Sequence, residues 1–140
     1  MRFLKFTNDK DVRRLRWFVV CAILLDATLT LLGQPSTYWH HHQTALEGNP
    51  FFRHYLCRGY VPFCFAMLVF ATFAFSLISI LPRRVALLFI FYYLFTEFFT
   101  TETWLLFRWH LGMRGLTIYA ILFGGAVVLL AFPKQIGDAV

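Results

Sequence analysis

Three carboxylates, Asp26, Glu97 and Glu102, lie inside stretches that are otherwise apolar enough to cross a membrane. On insertion scales a charged side chain at the centre of a spanning helix costs about 2.5–3.5 kcal/mol, so such residues face a bundle interior and often mark a functional site. A buried acid site of this kind carries a proton or holds a cation, because carboxylates and hydroxyls are the hard oxygen ligands that Ca²⁺, Mg²⁺ or Mn²⁺ prefer. The competing reading is structural. A protonated Asp or Glu beside Thr and Ser can hydrogen-bond helices together in lipid, at roughly 0.6–2 kcal/mol per contact.

Spacing sorts these residues onto faces. Tyr93, Glu97, Thr101, Trp104 and Arg108 recur at helical intervals and form one stripe. Glu102 lies about 140° around the helix from Glu97, where a structural role near the headgroups fits it better. Asp26, Thr30 and Gly33 share a second face, and Thr72, Ser76 and Ser79 a third. Asp26, Thr30, Glu97, Thr101 and Glu102 are thus the residues for an ion, a proton or an interhelical polar contact.

A second chemistry resides in His40-His41-His42. Imidazole binds Zn, Cu, Ni or Fe, and on an extended segment His40 and His42 point the same way. With His54 they are the candidate ligands for a divalent metal, which Glu47 and Cys57 would complete. Three consecutive histidines match no established ligand spacing such as H-E-x-x-H, and a pH-sensitive patch or plain loop uses the same residues.

The elements that must position these groups follow from composition. Of 140 residues 59% are hydrophobic and 14% charged, and mean hydropathy is +0.63. A soluble domain carries about 25% charge. The expectation is therefore all-α: an integral membrane four-helix bundle forming one domain over 1–140. Its helices fall at about 17–33, 61–81, 85–107 and 115–132, and an outer loop spans 34–60. The first run ends Gly33-Gln34-Pro35 without a small-x-small cleavage site, so it is read as a retained helix. Residues 1–16 are basic, with Phe3, Leu4 and Phe6 placed to dip into headgroups as a short interfacial helix.

The N-terminus, the 82–84 turn and the tail hold nine of the 13 Lys and Arg residues, and the other two loops hold four. Positive residues favour the cytoplasm, so both termini are expected there, with the bundle in the cell (inner) membrane. Trp17, Trp39, Trp104 and Trp109 fall near run ends, as interfacial aromatics do. The bases flank apolar segments, which argues against nucleic acid as a partner. Cys21 and Cys64 read as small core residues, and one loop cysteine, Cys57, gives no disulfide framework. Gly124-Gly125, with Ala120 four residues before Gly124, offers a small-residue packing surface.

Asp26-Ala27-Thr28-Leu29-Thr30, followed by Glu47-Gly48-Asn49-Pro50-Phe51, resembles a family of small multi-pass membrane proteins of bacteria and archaea, of unknown function. That family pairs an Asp-x-x-Leu-Thr helix with a Glu-x-Asn-Pro loop. The resemblance covers about the first 55 residues and implies that Asp26, Thr30, Glu47 and Asn49 belong to one site at the outer end of the first helix. The His-bearing segment between Pro35 and Glu47 departs from the family's compact loop.

Three functional classes fit. The first is an accessory or structural subunit of a larger membrane complex, its Phe-rich faces packed on partner helices. The second is an oligomeric ion- or proton-handling protein using Asp26 and Glu97, with Thr30 and Thr101 as supporting hydroxyls. The third is a membrane metal-binding protein using the histidine loop. The first asks least of the sequence. An enzyme is least supported, since there is no Ser-His-Asp or Cys-His nucleophile pattern and no phosphate loop. The expected partners are the lipid bilayer and other membrane subunits or further copies of this chain.

Overall fold

The computed structural model describes residues 10–108, 110 and 112–131, and the side chains of Lys10, Asp11, Phe107, Met113 and 129–131 are left aside. The basic N-terminal residues with Phe3, Leu4 and Phe6, and also Trp109, Lys134 and the end of the fourth apolar run, lie outside the described residues. The described chain is helical with no strand. It comprises α1 Lys10–Leu32, two 3-10 turns at Ser36–Trp39 and His42–Thr44, α2 Pro50–Leu56, α3 Tyr60–Ile80, α4 Arg83–Phe107 and α5 Gly112–Ala131.

Three helices, over Val12–Leu32, Tyr60–Ile80 and Arg83–Leu106, are long and apolar enough to cross a membrane. At 1.5 Å per residue, about 20 residues span the roughly 30 Å hydrocarbon core. The apolar stretch of α5, Arg114–Val128, is shorter than the other three.

Helix α1 begins at Lys10 and not near residue 17. The charged segment before Trp17 is amphipathic: Val12 and Leu15 are buried and continue, at three- and four-residue spacing, into Val19, Ala22 and Ile23. That spacing keeps one face in the core while Arg13 and Arg14 are exposed. Helix α3 follows Gly59, whose φ of +122° is a conformation that glycine adopts without a Cβ penalty. It stops at Leu81, which is extended ahead of Pro82, as the clash with a following proline ring requires.

Helix α1 is the centre of the bundle, packed mainly on α3 and α4, with α5 against α1 and α4. Near the α3–α4 turn the core is aliphatic and tight. It joins Val19 and Ile23 of α1 to Ala71, Ala74 and Ile78 of α3 and to Ala86 and Ile90 of α4. Alanines let helix backbones approach closely. At this end the Arg16 guanidinium donates to Ser79 Oγ and lies 4.0 Å over the Phe75 ring. Helix α5 is fastened by aromatic contacts, Tyr119 stacking on Phe98 at 5.4 Å and Phe123 meeting Phe18 at 5.6 Å.

Two expectations need correction. Cys21 and Cys64 are exposed on their helices and are not core residues. Gly124 and Gly125 face open space, since an added Cβ at either would meet nothing within 4 Å.

Candidate functional site

The buried rows of α1 and α4 change character at the same level. On α1 the row runs Val12, Leu15, Val19, Ile23 and then turns polar at Asp26 and Thr30. On α4 it runs Ala86, Ile90, Leu94 and then turns polar at Glu97 and Thr101. Helices α3 and α4 are consecutive yet share few contacts. Their loop ends therefore leave a gap, walled on the α3 side by Phe63, Met67 and Phe70.

That gap is a cavity of about 450 Å³. Asp26 and Thr30 line it from α1, and Glu47, Gly48 and Asn49 from the outer loop. Phe52 of α2 contributes, as do Tyr92, Tyr93, Thr96, Glu97, Thr100, Thr103 and Trp104 of α4. Among the described residues, none that lines it is a Lys, Arg or His. Glu97 is only 7% exposed, and its Oε2 is buried with no hydrogen-bond partner among the described residues. The same holds for Asp26 Oδ1. The two carboxyl groups are near enough to feel each other's charge.

Two threonine hydroxyls on the α4 wall are committed as donors. Thr96 Oγ1 donates to the Tyr92 carbonyl at 2.9 Å and Thr103 Oγ1 to the Phe99 carbonyl at 2.8 Å, whereas Thr100 Oγ1 lies within reach of the Thr96 and Glu97 carbonyls and of the Asp26 carboxylate. A hydroxyl has one hydrogen and two lone pairs. The Thr96 and Thr103 oxygens are thus left as acceptors, like the carboxylates beside them.

The mouth of the cavity is built by side-chain clamps. Gln34 is buried and mimics a strand partner. Its Nε2 donates to Leu46 O at 2.8 Å and to Thr30 O at 2.9 Å, while its Oε1 accepts from Leu46 N at 2.8 Å. This fixes the residue before Glu47 against the end of α1. Glu47 Oε1 accepts from Asn49 N at 2.8 Å, and Asn49 Oδ1 caps α2 by accepting from Phe51 N at 3.0 Å, ahead of Pro50 at the first helical position. Burial pushes the Glu47 carboxyl above its ordinary value, against the opposing pull of the Asn49 and Gly48 backbone N–H groups. A second clasp ties α1 to α4. Arg108 Nε donates to the Gly33 carbonyl, and a Cβ on Gly33 would lie 2.6 Å from the Trp104 ring.

Asp26, Thr30, Glu47, Asn49 and Glu97 therefore line one cavity. Thr101 is buried and Glu102 half-buried, and neither lines it. On α3 the hydroxyl face points elsewhere: Thr72 and Ser76 are exposed and Ser79 serves Arg16. The histidines are not brought together. His40, His41 and His54 are exposed, and His42 donates from Nδ1 to the Tyr38 carbonyl at 2.9 Å. Among the described residues no three His, Cys, Asp or Glu side chains gather closely enough to hold a metal ion. Tyr38, fully buried, instead organises this loop by donating to Leu56 O at 3.2 Å.

Sequence reasoning passed over Tyr92, Thr96, Thr100 and Thr103. Their intervals of four, four and three are themselves a helical stripe, adjacent to the one through Glu97. The α3 wall carried no such signal, because the half of that helix beside the cavity, residues 61–71, is apolar on every face. No protein-family model matches the chain, and no significant match is found among curated proteins or solved structures.

Proposed function

We propose that this chain is a multi-pass membrane protein that takes up a cation, or in the simplest case a proton, in the acid cavity at the loop end of its bundle. The observation that carries this reading is the pair of buried carboxylate oxygens of Asp26 and Glu97 that have no partner among the described residues, beside a cavity whose described lining holds no basic residue. Two like charges side by side in a low-dielectric site are costly unless a positive charge comes between them. Thr30 and the α4 hydroxyls supply further oxygen acceptors around that position.

In this reading α5 is a fourth span, and both termini lie on the cytoplasmic side of the inner membrane, as the distribution of bases favours. The cavity then opens toward the outer face. A path through the whole membrane would need self-association of so small a bundle. Exposed Phe65, Phe73 and Phe95 would suit a partner helix and suit acyl chains equally, so they do not select an accessory-subunit role.

Infrared difference spectroscopy of the protein in bilayers tests the proposal through the carboxylic acid stretch. The wild type should show a buried acid band that falls when cation is added or pH is raised. Asp26→Asn and Glu97→Gln should each remove part of it. A spectrum with no titrating acid band and no response to any cation would overturn the reading.

A further inference from the structure

The acid pair alone would accept any positive charge, so the discriminating information lies in the rest of the cavity. A hard metal ion wants six to eight oxygen ligands packed at about 2.3–2.6 Å, and the carboxylates here do not converge closely enough to form such a cage among the described residues. A proton needs no space at all. This cavity offers about 450 Å³, within the range of about 300–1,000 Å³ typical of small-molecule sites. Much of its wall is aromatic, with Phe52, Phe70, Tyr93 and Trp104 among its lining residues. Aromatic faces attract organic cations through the ring quadrupole, and this chain already seats a guanidinium over an aromatic ring at Arg16 and Phe75.

Resting on the cation-site reading above, we propose that the cavity binds an organic ammonium compound with an apolar body. Its ammonium sits between Asp26 and Glu97 and its apolar part lies against the rings of α2, α3 and α4. Three features converge on that ligand class. The unpartnered carboxylate oxygens call for a donor that carries positive charge. Thr96 and Thr103, which donate to carbonyls of their own helix, present acceptors that an N–H can use. The phenylalanine and tryptophan surface rewards a hydrocarbon portion that no metal ion possesses. The ligand enters past Glu47 and Gly48, where the chain is held by Gln34 but leaves Gly48 exposed.

The test uses the full chain in lipid nanodiscs and isothermal titration with 2-phenylethylamine. Its neutral isostere 2-phenylethanol and the anion 3-phenylpropionate are controls for partition into lipid. Saturable binding of the amine is expected, with both controls weaker by roughly 10- to 100-fold, the loss typical of one charge-assisted hydrogen bond. Asp26→Asn and Glu97→Gln should each weaken the amine by a similar factor and leave the controls unchanged. The wild-type comparison of amine with alcohol needs no variant, so it stands even if a substitution prevents folding. Equal binding of amine and alcohol, or no saturable amine binding, would overturn the proposal. In that case an acid band that still responds to Na⁺, Ca²⁺ or pH would leave the cation site standing with an inorganic occupant. A silent band would remove both readings.

Discussion

The two ends of the same bundle solve the same packing problem differently. At the turn end, α1, α3 and α4 meet through alanines and β-branched residues, Ala71, Ala74 and Ile78 against Val19 and Ile23, with Ala86 and Ile90 behind them. Small side chains let the backbones close, and the Arg16 guanidinium there donates to Ser79 and lies over the Phe75 ring, with its Nε left without a partner among the described residues. At the loop end the same helices carry Phe63, Met67 and Phe70 facing Tyr93 and Glu97. Large and polar groups hold α3 off α4, and the acids there have unpartnered oxygens. The turn end therefore contributes cohesion, and the loop end sets a pair of acids beside open space at a cost in stability. The proposed function rests on that difference: two unpartnered acid oxygens beside a cavity are groups that a ligand or proton can complete.

Breaking the tight half should have the largest effect on stability. Ile23→Ala removes a fully buried side chain from the aliphatic core and should cost roughly 2–5 kcal/mol, read as loss of thermal stability in detergent. The homologous step in the open half, Asp26→Asn, should leave the melting temperature nearly unchanged or higher and abolish the cation response. If the two substitutions destabilise equally, the distinction between the halves fails.

Gly33→Ala should come next. Its new methyl would collide with Trp104, and overpacking of this kind costs about 1–3 kcal/mol. Because Trp104 lines the cavity, ligand affinity should fall with stability, whereas Gly124→Ala, outside the cavity lining and with open space around it, should leave affinity unchanged. A smaller and local effect is expected for Gln34→Leu, which deletes the clamp on Leu46. Leu46 is exposed, so water can replace the lost partner and the cost is about 0.5–1.5 kcal/mol, and hydrogen exchange should speed up at Leu46 while the cores of α3 and α4 stay protected.

The smallest effect concerns Glu47. Burial raises its folded carboxyl above the ordinary range, so the folded state holds the proton at a pH where the unfolded chain has released it. Its contribution favours folding in acid and is lost as pH rises from the unfolded value through the folded one. Glu47→Gln should flatten the pH dependence of stability in that interval. An unchanged profile would show that the raised carboxyl is not coupled to folding.

Much of the loop-end site was legible because polar residues inside apolar runs are conspicuous. Asp26 and Glu97 stood out by type and Thr30 by its spacing from Asp26, whereas Glu47 and Asn49 entered this site only through what the family resemblance implies. The start of α1 was not legible from hydropathy, since Arg13, Arg14 and Arg16 interrupt the run, although Val12, Leu15 and Val19 already carried the core spacing. The α3 wall was hidden for the opposite reason. Phe63, Met67 and Phe70 sit in the half of α3 whose every face is apolar, so nothing in the residue types there tells the cavity side from the exposed side. The histidine string drew attention by composition, but Tyr38, an ordinary aromatic beside it, is the residue that organises that loop.

Carbodiimide labelling mapped residue by residue tests the central claim most directly. A hydrophobic carbodiimide modifies protonated carboxyls in apolar surroundings, so the wild-type protein in bilayers should be labelled at Asp26 and Glu97. Saturating cation or amine should suppress that labelling, while Glu102, outside the cavity, keeps whatever reactivity it has. If Asp26 and Glu97 are inert, or are labelled to the same extent with and without any cation, the loop-end cavity is not a cation site.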